Sequence, residues 1–230
     1  MKRTRLIVAM LAMVLGTLEA LPQSNVPMFQ SAELGSTGPI DSAHLGISDK
    51  SFLGWRFHVE SPVTITGVGG HFFRWGPSDD GSFFALITRL DRPDGFPSRP
   101  GVLPFVSERI VGTTLGVVTS EDTADYFFPL RADLSAGDYA LVFGSGMFGD
   151  PSSGDGFAVS LPIDNQRSPD ATFFAWEGYN LRWSEATQIP GAPRFVVYTV
   201  PEPAICWLFA ALASGSLLCA KVRDRRRWCS

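Results

Sequence analysis

FLGWRFHVE, residues 52–60, is the stretch that decides the fold, because its apolar residues recur at every second position. Successive side chains of a β-strand point to opposite faces of the sheet, so this alternation predicts a strand with one buried face. The residues expected on that face are Leu53, Trp55, Phe57 and Val59.

Similar short apolar runs follow along the chain and are separated by Gly, Pro, Asp and Ser. Strong turn signals stand at 135–138 (SAGD) and 144–146 (GSG). Residues 21–50 are predicted to be an irregular lead-in with room for one edge strand. Residues 51–199 are predicted to be all-β, an antiparallel β-sandwich or more specifically a jelly roll. Further strands are expected near 63–70, 83–90, 103–110, 112–119, 124–130, 138–143, 156–161, 171–176 and 194–199.

The N-terminal segment 1–20 has three cationic residues, then an apolar run, then a small-residue exit at Ala20. This order predicts a secretory signal peptide that is cleaved after Ala20. The apolar run is short for a membrane span of about 20 residues. An uncleaved anchor is the alternative.

The C-terminal segment 200–230 begins with Pro201, Glu202 and Pro203 and continues with the uncharged stretch 204–220. This stretch is long enough for one C-terminal transmembrane helix at the lower limit of length. A basic cluster follows it, which places the tail in the cytoplasm and the body outside. The cluster includes Arg225, Arg226 and Arg227.

This order of tripeptide, helix and basic tail resembles the PEP-CTERM sorting signal of bacterial exopolysaccharide-associated proteins. The resemblance implies that an exosortase-type membrane enzyme recognises the segment and removes it at or near the tripeptide. It also implies a protein of the cell envelope, cell surface or extracellular matrix. The body phrases ITGVGGHF, SFFALITRL and LSAGDYALVF are similar to stretches of other exported proteins of this family. A permanent single-pass anchor is the alternative.

Charge and cysteine usage set the ends apart from the body. Residues 21–203 contain 11 basic and 21 acidic residues, so their net charge is about 11 − 21 = −10. This charge argues against nucleic acid and anionic lipid as partners of the body. All three cysteines lie beyond residue 203, which excludes a disulfide framework and Cys-based sites from the body.

Candidate polar residues in the body lack the spacing of known sites. The three histidines, His44, His58 and His71, do not form a zinc-binding pattern, and Ser145 stands in GSG and not in a nucleophile elbow. We therefore expect no catalytic residue, cofactor or metal ligand. Structural calcium stays open because Asp-rich loops occur at 79–81, 91–95, 150–156 and 164–165, although Asp and Asn also favour ordinary turns.

The expected function is adhesion or association with extracellular polysaccharide, without enzymatic activity. A carbohydrate-binding module is the alternative, and its candidate sugar-stacking rings are Trp75, Trp176, Tyr179 and Trp183. Core packing is the simpler role for these rings. A polysaccharide-degrading enzyme would need a pair of carboxylates, for which the candidates are Glu108, Glu121, Glu177 and Glu185.

Overall fold

The computed structural model describes six segments: residues 26–39, 43–74, 81–98, 104–151, 159–187 and 191–199. The predicted signal peptide with its cleavage site at Ala20, and the predicted sorting segment 200–230 with its span 204–220, lie outside the described residues. No helix in the described part has the length and apolar character that a bilayer crossing requires.

The described residues fold as an all-β structure, and every pairing between its strands is antiparallel. Helical geometry is limited there to one 3₁₀ turn at Ser107–Arg109. The strands are β1 (Val26–Gln30), β2 (Ala32–Glu33), β3 (His44–Ile47), β4 (Ser51–Val59), β5 (Val63–Phe72), β6 (Ser82–Arg89), β7 (Ile110–Val117), β8 (Ala124–Leu134), β9 (Gly137–Gly144), β10 (Val159–Pro162), β11 (Gln166–Arg167), β12 (Phe173–Glu177), β13 (Arg182–Glu185) and β14 (Phe195–Thr199).

Two larger sheets contain most of the strands. The four-stranded sheet has the order β1-β14-β5-β8, and the six-stranded sheet has the order β13-β12-β4-β9-β6-β7. Two short pairs, β10-β3 and β11-β2, accompany them. Eight of these strands can be numbered 1 to 8 in chain order: β1, β4, β5, β6, β7, β8, β9 and β14. In this numbering the four-stranded sheet has the order 1-8-3-6. The six-stranded sheet has the order 2-7-4-5, with β12 and β13 added beside β4.

The structure differs from the predicted strands in two stretches for which the sequence makes a prediction, and it also contains β11 and β13, where no strand was expected. The stretch 21–50, expected to be irregular with one edge strand, contains β1, β2 and β3, and β1 does lie at a sheet edge. The strand expected at 103–110 is replaced over its described part by coil and the 3₁₀ turn, and β7 starts at Ile110. The first difference arises because these short strands gain their partners, β14, β11 and β10, from distant parts of the chain.

A central core is formed by buried residues of both larger sheets. It contains the predicted inward residues of β4, together with rings from both sheets. Phe143 in β9 stacks on Phe195 in β14 with ring centroids 4.7 Å apart, and Phe72 in β5 lies 5.1 Å from Phe83 in β6. Aromatic rings bury large areas, so these contacts stabilise the packing of the two sheets.

A second cluster, the outer core, covers the opposite face of the six-stranded sheet. Phe52, Phe84 and Phe174 project from that face and pack with Phe105 and Trp183. The prediction that β4 has one buried face is therefore incomplete, because Phe52 and Arg56 are buried on its other side. The side chains of β4 do alternate between two faces, but one face packs in the central core and the other packs against the outer core.

Candidate functional site

A groove of about 820 Å³ opens where β12 stops pairing with β4. β12 pairs with β4 along Ser51–Trp55, and the next backbone contact is the Arg56 N–H donating to the Thr172 carbonyl at 3.2 Å. Beyond this point residues 168–172 and the loop at 93–94 line the two sides. The volume lies within the range of small-molecule sites in proteins.

Arg56 is the most constrained charged residue of the groove. Its Nη1 and Nη2 donate to the two carboxylate oxygens of Glu185 at 3.0 and 2.7 Å, and its Nε donates to the Gly95 carbonyl at 2.9 Å. The guanidinium also lies 4.9 Å from the ring centre of Phe96 and 4.7 Å from that of Phe174. Because Glu185 balances its charge, Arg56 holds the groove wall in place and adds little positive field.

His58 and Asp138 form a second polar pair on the groove. The His58 Nδ1 lies 2.7 Å from Asp138 Oδ1, and the carboxylate can only accept, so Nδ1 carries the proton of this bond. The His58 side chain is 61% exposed, as expected for the polar side of its strand. Its Nε2 is therefore left for water or a ligand.

The groove as a whole is acidic and partly aromatic. Trp55 and Phe57 contribute to its lining from the central-core side of β4. The lining contains four carboxylates and two basic side chains, and three of the carboxylates have a basic partner: Glu185 pairs with Arg56, Asp138 with His58 and Asp94 with Arg92. The carboxylates belong to Asp94, Asp138, Asp170 and Glu185. Such a lining suits hydroxyl-bearing or cationic ligands better than anionic ones.

The other two histidines have structural roles. His71 is fully buried, and its Nδ1 lies 3.0 Å from the side-chain oxygen of Asn165. Asn165 also donates to the carbonyls of Pro162 and Ala192 at 3.0 Å each, so it joins three chain segments. The ring of His44 packs edge-on against Phe73.

Several carboxylates of the acidic loops have partners within the protein where the structure describes them. Asp150 Oδ2 accepts the Gly146 N–H at 2.9 Å, and Gly146 has a φ of +73°. Asp91 pairs with Arg109 at 2.6 Å, and Asp94 pairs with Arg92 at 2.9 Å. Across the described segments, no three His, Cys, Asp or Glu side chains converge as a metal site would require. Residues 79, 80 and 155 lie outside those segments, and structural calcium stays a prediction.

Of the four candidate sugar-stacking rings, two belong to the outer core. Trp176 and Trp183 are 3% and 6% exposed, and the Trp183 Nε1 donates to the Pro104 carbonyl at 2.9 Å. Tyr179 is exposed on the β12–β13 turn, with the Lys50 ammonium 5.3 Å from its ring centre. Trp75 lies outside the described residues. Core packing is therefore the observed role of Trp176 and Trp183.

The four candidate glutamates do not form one site. Glu185 is paired with Arg56, and Glu121 lies 3.4 Å from Arg74. Glu177 accepts hydrogen bonds from Asn180 and Ser184, and the Asn180 bond is the main reason that its pKa lies below the usual range. Glu108 lies on the exposed 3₁₀ turn.

The groove could not be predicted from the sequence, because its residues come from distant stretches and follow no motif. Arg56 gave no signal either, because the periodicity of β4 places it on the side predicted to be polar, whereas the structure buries it. Comparison with known proteins adds no assignment: no family model matches this chain, and no curated protein matches it.

Proposed function

We propose that this chain is an exported bacterial surface or extracellular-matrix protein that is sorted through its C-terminal Pro-Glu-Pro segment. It acts in adhesion or polysaccharide association and not in catalysis. The resemblance of residues 200–227 to the PEP-CTERM signal supports the sorting, and the predicted signal peptide 1–20 supports export.

The position of β14 agrees with processing at the tripeptide. β14 lies inside the four-stranded sheet, between β1 and β5, and ends at Thr199. Residues 201–203 follow after Val200, so cleavage there would leave all fourteen strands intact. If the removed segment began within β14, its removal would take away a strand from inside the four-stranded sheet.

The strand order supports a jelly-roll β-sandwich as the finer fold. Eight strands counted in chain order fall into two sheets as 1-8-3-6 and 2-7-4-5, which is the order of two interlocked Greek keys. The aromatic contacts between Phe143 and Phe195 and between Phe72 and Phe83 support face-to-face packing of those sheets.

The outer core is the observation that carries the non-catalytic role. A glycan-processing β-sandwich would offer an open concave face lined with aromatic and charged groups. Here the outer face of the six-stranded sheet is filled by Phe52, Phe84, Phe105 and Trp183. Because both cores are filled with packed side chains, we favour a rigid domain that serves as a scaffold or displays a surface.

Intact mass of the protein from the cell surface and medium tests the sorting. In a strain with its exosortase, we expect a mass lacking residues 1–20 and the segment after the tripeptide. Without the exosortase, the C-terminal segment should be retained. A mass that includes residues 204–230 in both strains would reject processing and favour a permanent anchor.

Glycan binding is a second candidate, and the groove beside β4 favours it. Full-length protein in mild detergent should be retained by amine-bearing or neutral polysaccharide beads more than by anionic ones. Asp170→Asn should reduce retention, because Asp170 is exposed on the groove wall. Asp122→Asn, an equally conservative change at an exposed residue away from the groove, is the control. Retention on no polymer, or equal loss in both variants, would reject this role.

A further inference from the structure

The turn between β12 and β13, residues 178–181, carries two large side chains that extend into solvent. Tyr179 is 82% exposed and Leu181 is 57% exposed. The groove beside β4 adjoins residues 168–172, which come before β12, whereas the turn follows Glu177, the last residue of that strand. No residue of the turn lines the groove. The turn is therefore a separate surface.

Glu177 fixes the shape of this turn. Its carboxylate accepts hydrogen bonds from Asn180 Nδ2 at 2.7 Å and from Ser184 Oγ at 2.9 Å. Arg182 Nη2 lies 3.3 Å from the same carboxylate. The Asn180 N–H also donates to the Glu177 carbonyl at 3.0 Å. One side chain thus ties the turn to both of the strands that it connects.

The turn is also seated closely on the backbone that precedes β4. The Gly178 N–H donates to the Lys50 carbonyl at 2.8 Å, and a Cβ at Gly178 would lie 3.0 Å from that oxygen. The Lys50 ammonium lies 5.3 Å from the centre of the Tyr179 ring, a distance at which a cation attracts the face of an aromatic ring. Because Tyr179 is so largely exposed, the opposite face of its ring is open to solvent.

Leu181 is held in a strained conformation at the same turn. Its φ of +48° lies in the left-handed region, which costs free energy for a residue with a Cβ. Since more than half of the side chain is exposed, burial offsets little of this cost. Strain of this kind persists where neighbouring contacts enforce it, and it is concentrated at functional sites. The conformation of the turn therefore indicates a role in binding.

The size and charge of this surface favour a sugar ring as its ligand. Two exposed side chains offer far less area than the about 800 Å² per partner that a stable protein interface buries. The net charge of about −10 on the body opposes an anionic membrane surface. An uncharged pyranose avoids both obstacles, because it is about the size of one aromatic ring and presents a C–H face that packs on such a ring.

We propose that the β12–β13 turn binds an uncharged pyranose chain, with the open face of Tyr179 stacked on one sugar ring and Leu181 in contact beside it. Lys50 and Glu177 are positioning residues, because Lys50 orients the ring and Glu177 holds the turn. The proposal rests on the polysaccharide association proposed above and names the side chains that make the contact. Since the turn is preformed, binding requires little ordering of the chain.

Affinity electrophoresis of the full-length protein tests this proposal. Native gels contain hydroxyethyl cellulose, dextran or galactomannan, and the detergent is of the polyoxyethylene type because glycoside detergents would compete. At least one polymer should retard the protein, and Tyr179→Ala should weaken that binding about tenfold through the loss of stacking.

Two further changes at the same position separate stacking from simple apolar contact. Tyr179→Phe keeps the flat ring and should bind like the unaltered protein. Tyr179→Leu keeps an apolar side chain without the ring and should bind as weakly as Tyr179→Ala. Leu115→Ala is the matched control, because it removes an exposed apolar side chain from β7 and should leave the retardation unchanged.

The results that would overturn the proposal are distinguishable from failure of the proposed function. Retardation that Tyr179→Ala leaves unchanged would reject the turn as the site and leave polysaccharide association in place. If Asp170→Asn alone weakened binding, the contact would belong to the groove. Equal weakening by Tyr179→Ala and Tyr179→Phe would reject stacking. Retardation by none of the three polymers would reject both the turn site and polysaccharide association.

Discussion

Arg56 and Glu185, 129 residues apart in the chain, are joined by two parallel hydrogen bonds of 3.0 and 2.7 Å. The guanidinium is buried, whereas the side chain of Glu185 is 45% exposed. The pair ties β4 to β13 through a charge that has little access to water.

Removal of Glu185 should destabilise the domain more than removal of an ordinary surface carboxylate. Glu185→Ala leaves the buried guanidinium without its counter-charge, and we expect a loss of about 1–3 kcal/mol in the free energy of unfolding. Urea unfolding measures this loss. Glu121→Ala breaks a more exposed pair at 3.4 Å and should change stability by less than about 0.5 kcal/mol. Equal effects would show that Arg56 does not depend on Glu185.

The fold class could be predicted from the sequence because strand periodicity is a local property. The alternation at 53–59 identifies the central-core face of β4 without knowledge of any partner. The outer core could not be predicted in this way. Phe96 and Phe105 lie in a stretch rich in Pro, Gly and Asp, and only the folded chain shows that they return to cover the sheet.

The candidate site depends on still longer separations. Arg56, Asp138 and Asp170 meet at one groove because β4 pairs with β9 on one side and loses β12 on the other. No local spacing in the sequence predicts where the pairing of β12 with β4 ends. The burial of His71 against Asn165, 94 residues away, is hidden from the sequence for the same reason.

Gly69 should be intolerant of any side chain. A Cβ there would lie 2.0 Å from the Tyr126 carbonyl oxygen, which is backbone of the neighbouring strand β8 and cannot rotate away. Gly69→Ala should therefore cost about 3 kcal/mol or more in unfolding free energy. Gly112→Ala is the comparison, since its Cβ would lie 3.1 Å from a flexible Leu130 methyl group. Its cost should stay below about 1 kcal/mol, and a larger cost at Gly112 than at Gly69 would contradict the strand packing.

Replacement of Leu181 by glycine should stabilise the domain. It has a φ of +48° in the turn between β12 and β13, a conformation that strains side chains with a Cβ, and it is 57% exposed. Leu181→Gly should raise the free energy of unfolding by about 0.5–1 kcal/mol. Thermal unfolding checks the direction of the change. Leu34→Gly, at an exposed leucine without positive φ, should give no gain, and a gain there would mean that loss of exposed apolar surface and not relief of strain was measured.

Tyr198 should make the stability of the domain fall at high pH. Burial of the phenol, reinforced by the negative charge of Asp125, raises the pKa of Tyr198 to about 12. The unfolded tyrosine loses its proton near pH 10. Below about pH 10 both states hold the proton, so the group has no effect on pH dependence; between about pH 10 and 12 only the unfolded state ionises, and stability falls as pH rises. Urea unfolding between pH 9 and 11.5 should show this slope. Tyr198→Phe should remove the contribution of one proton from it, and an identical slope in the variant would assign the effect to other groups.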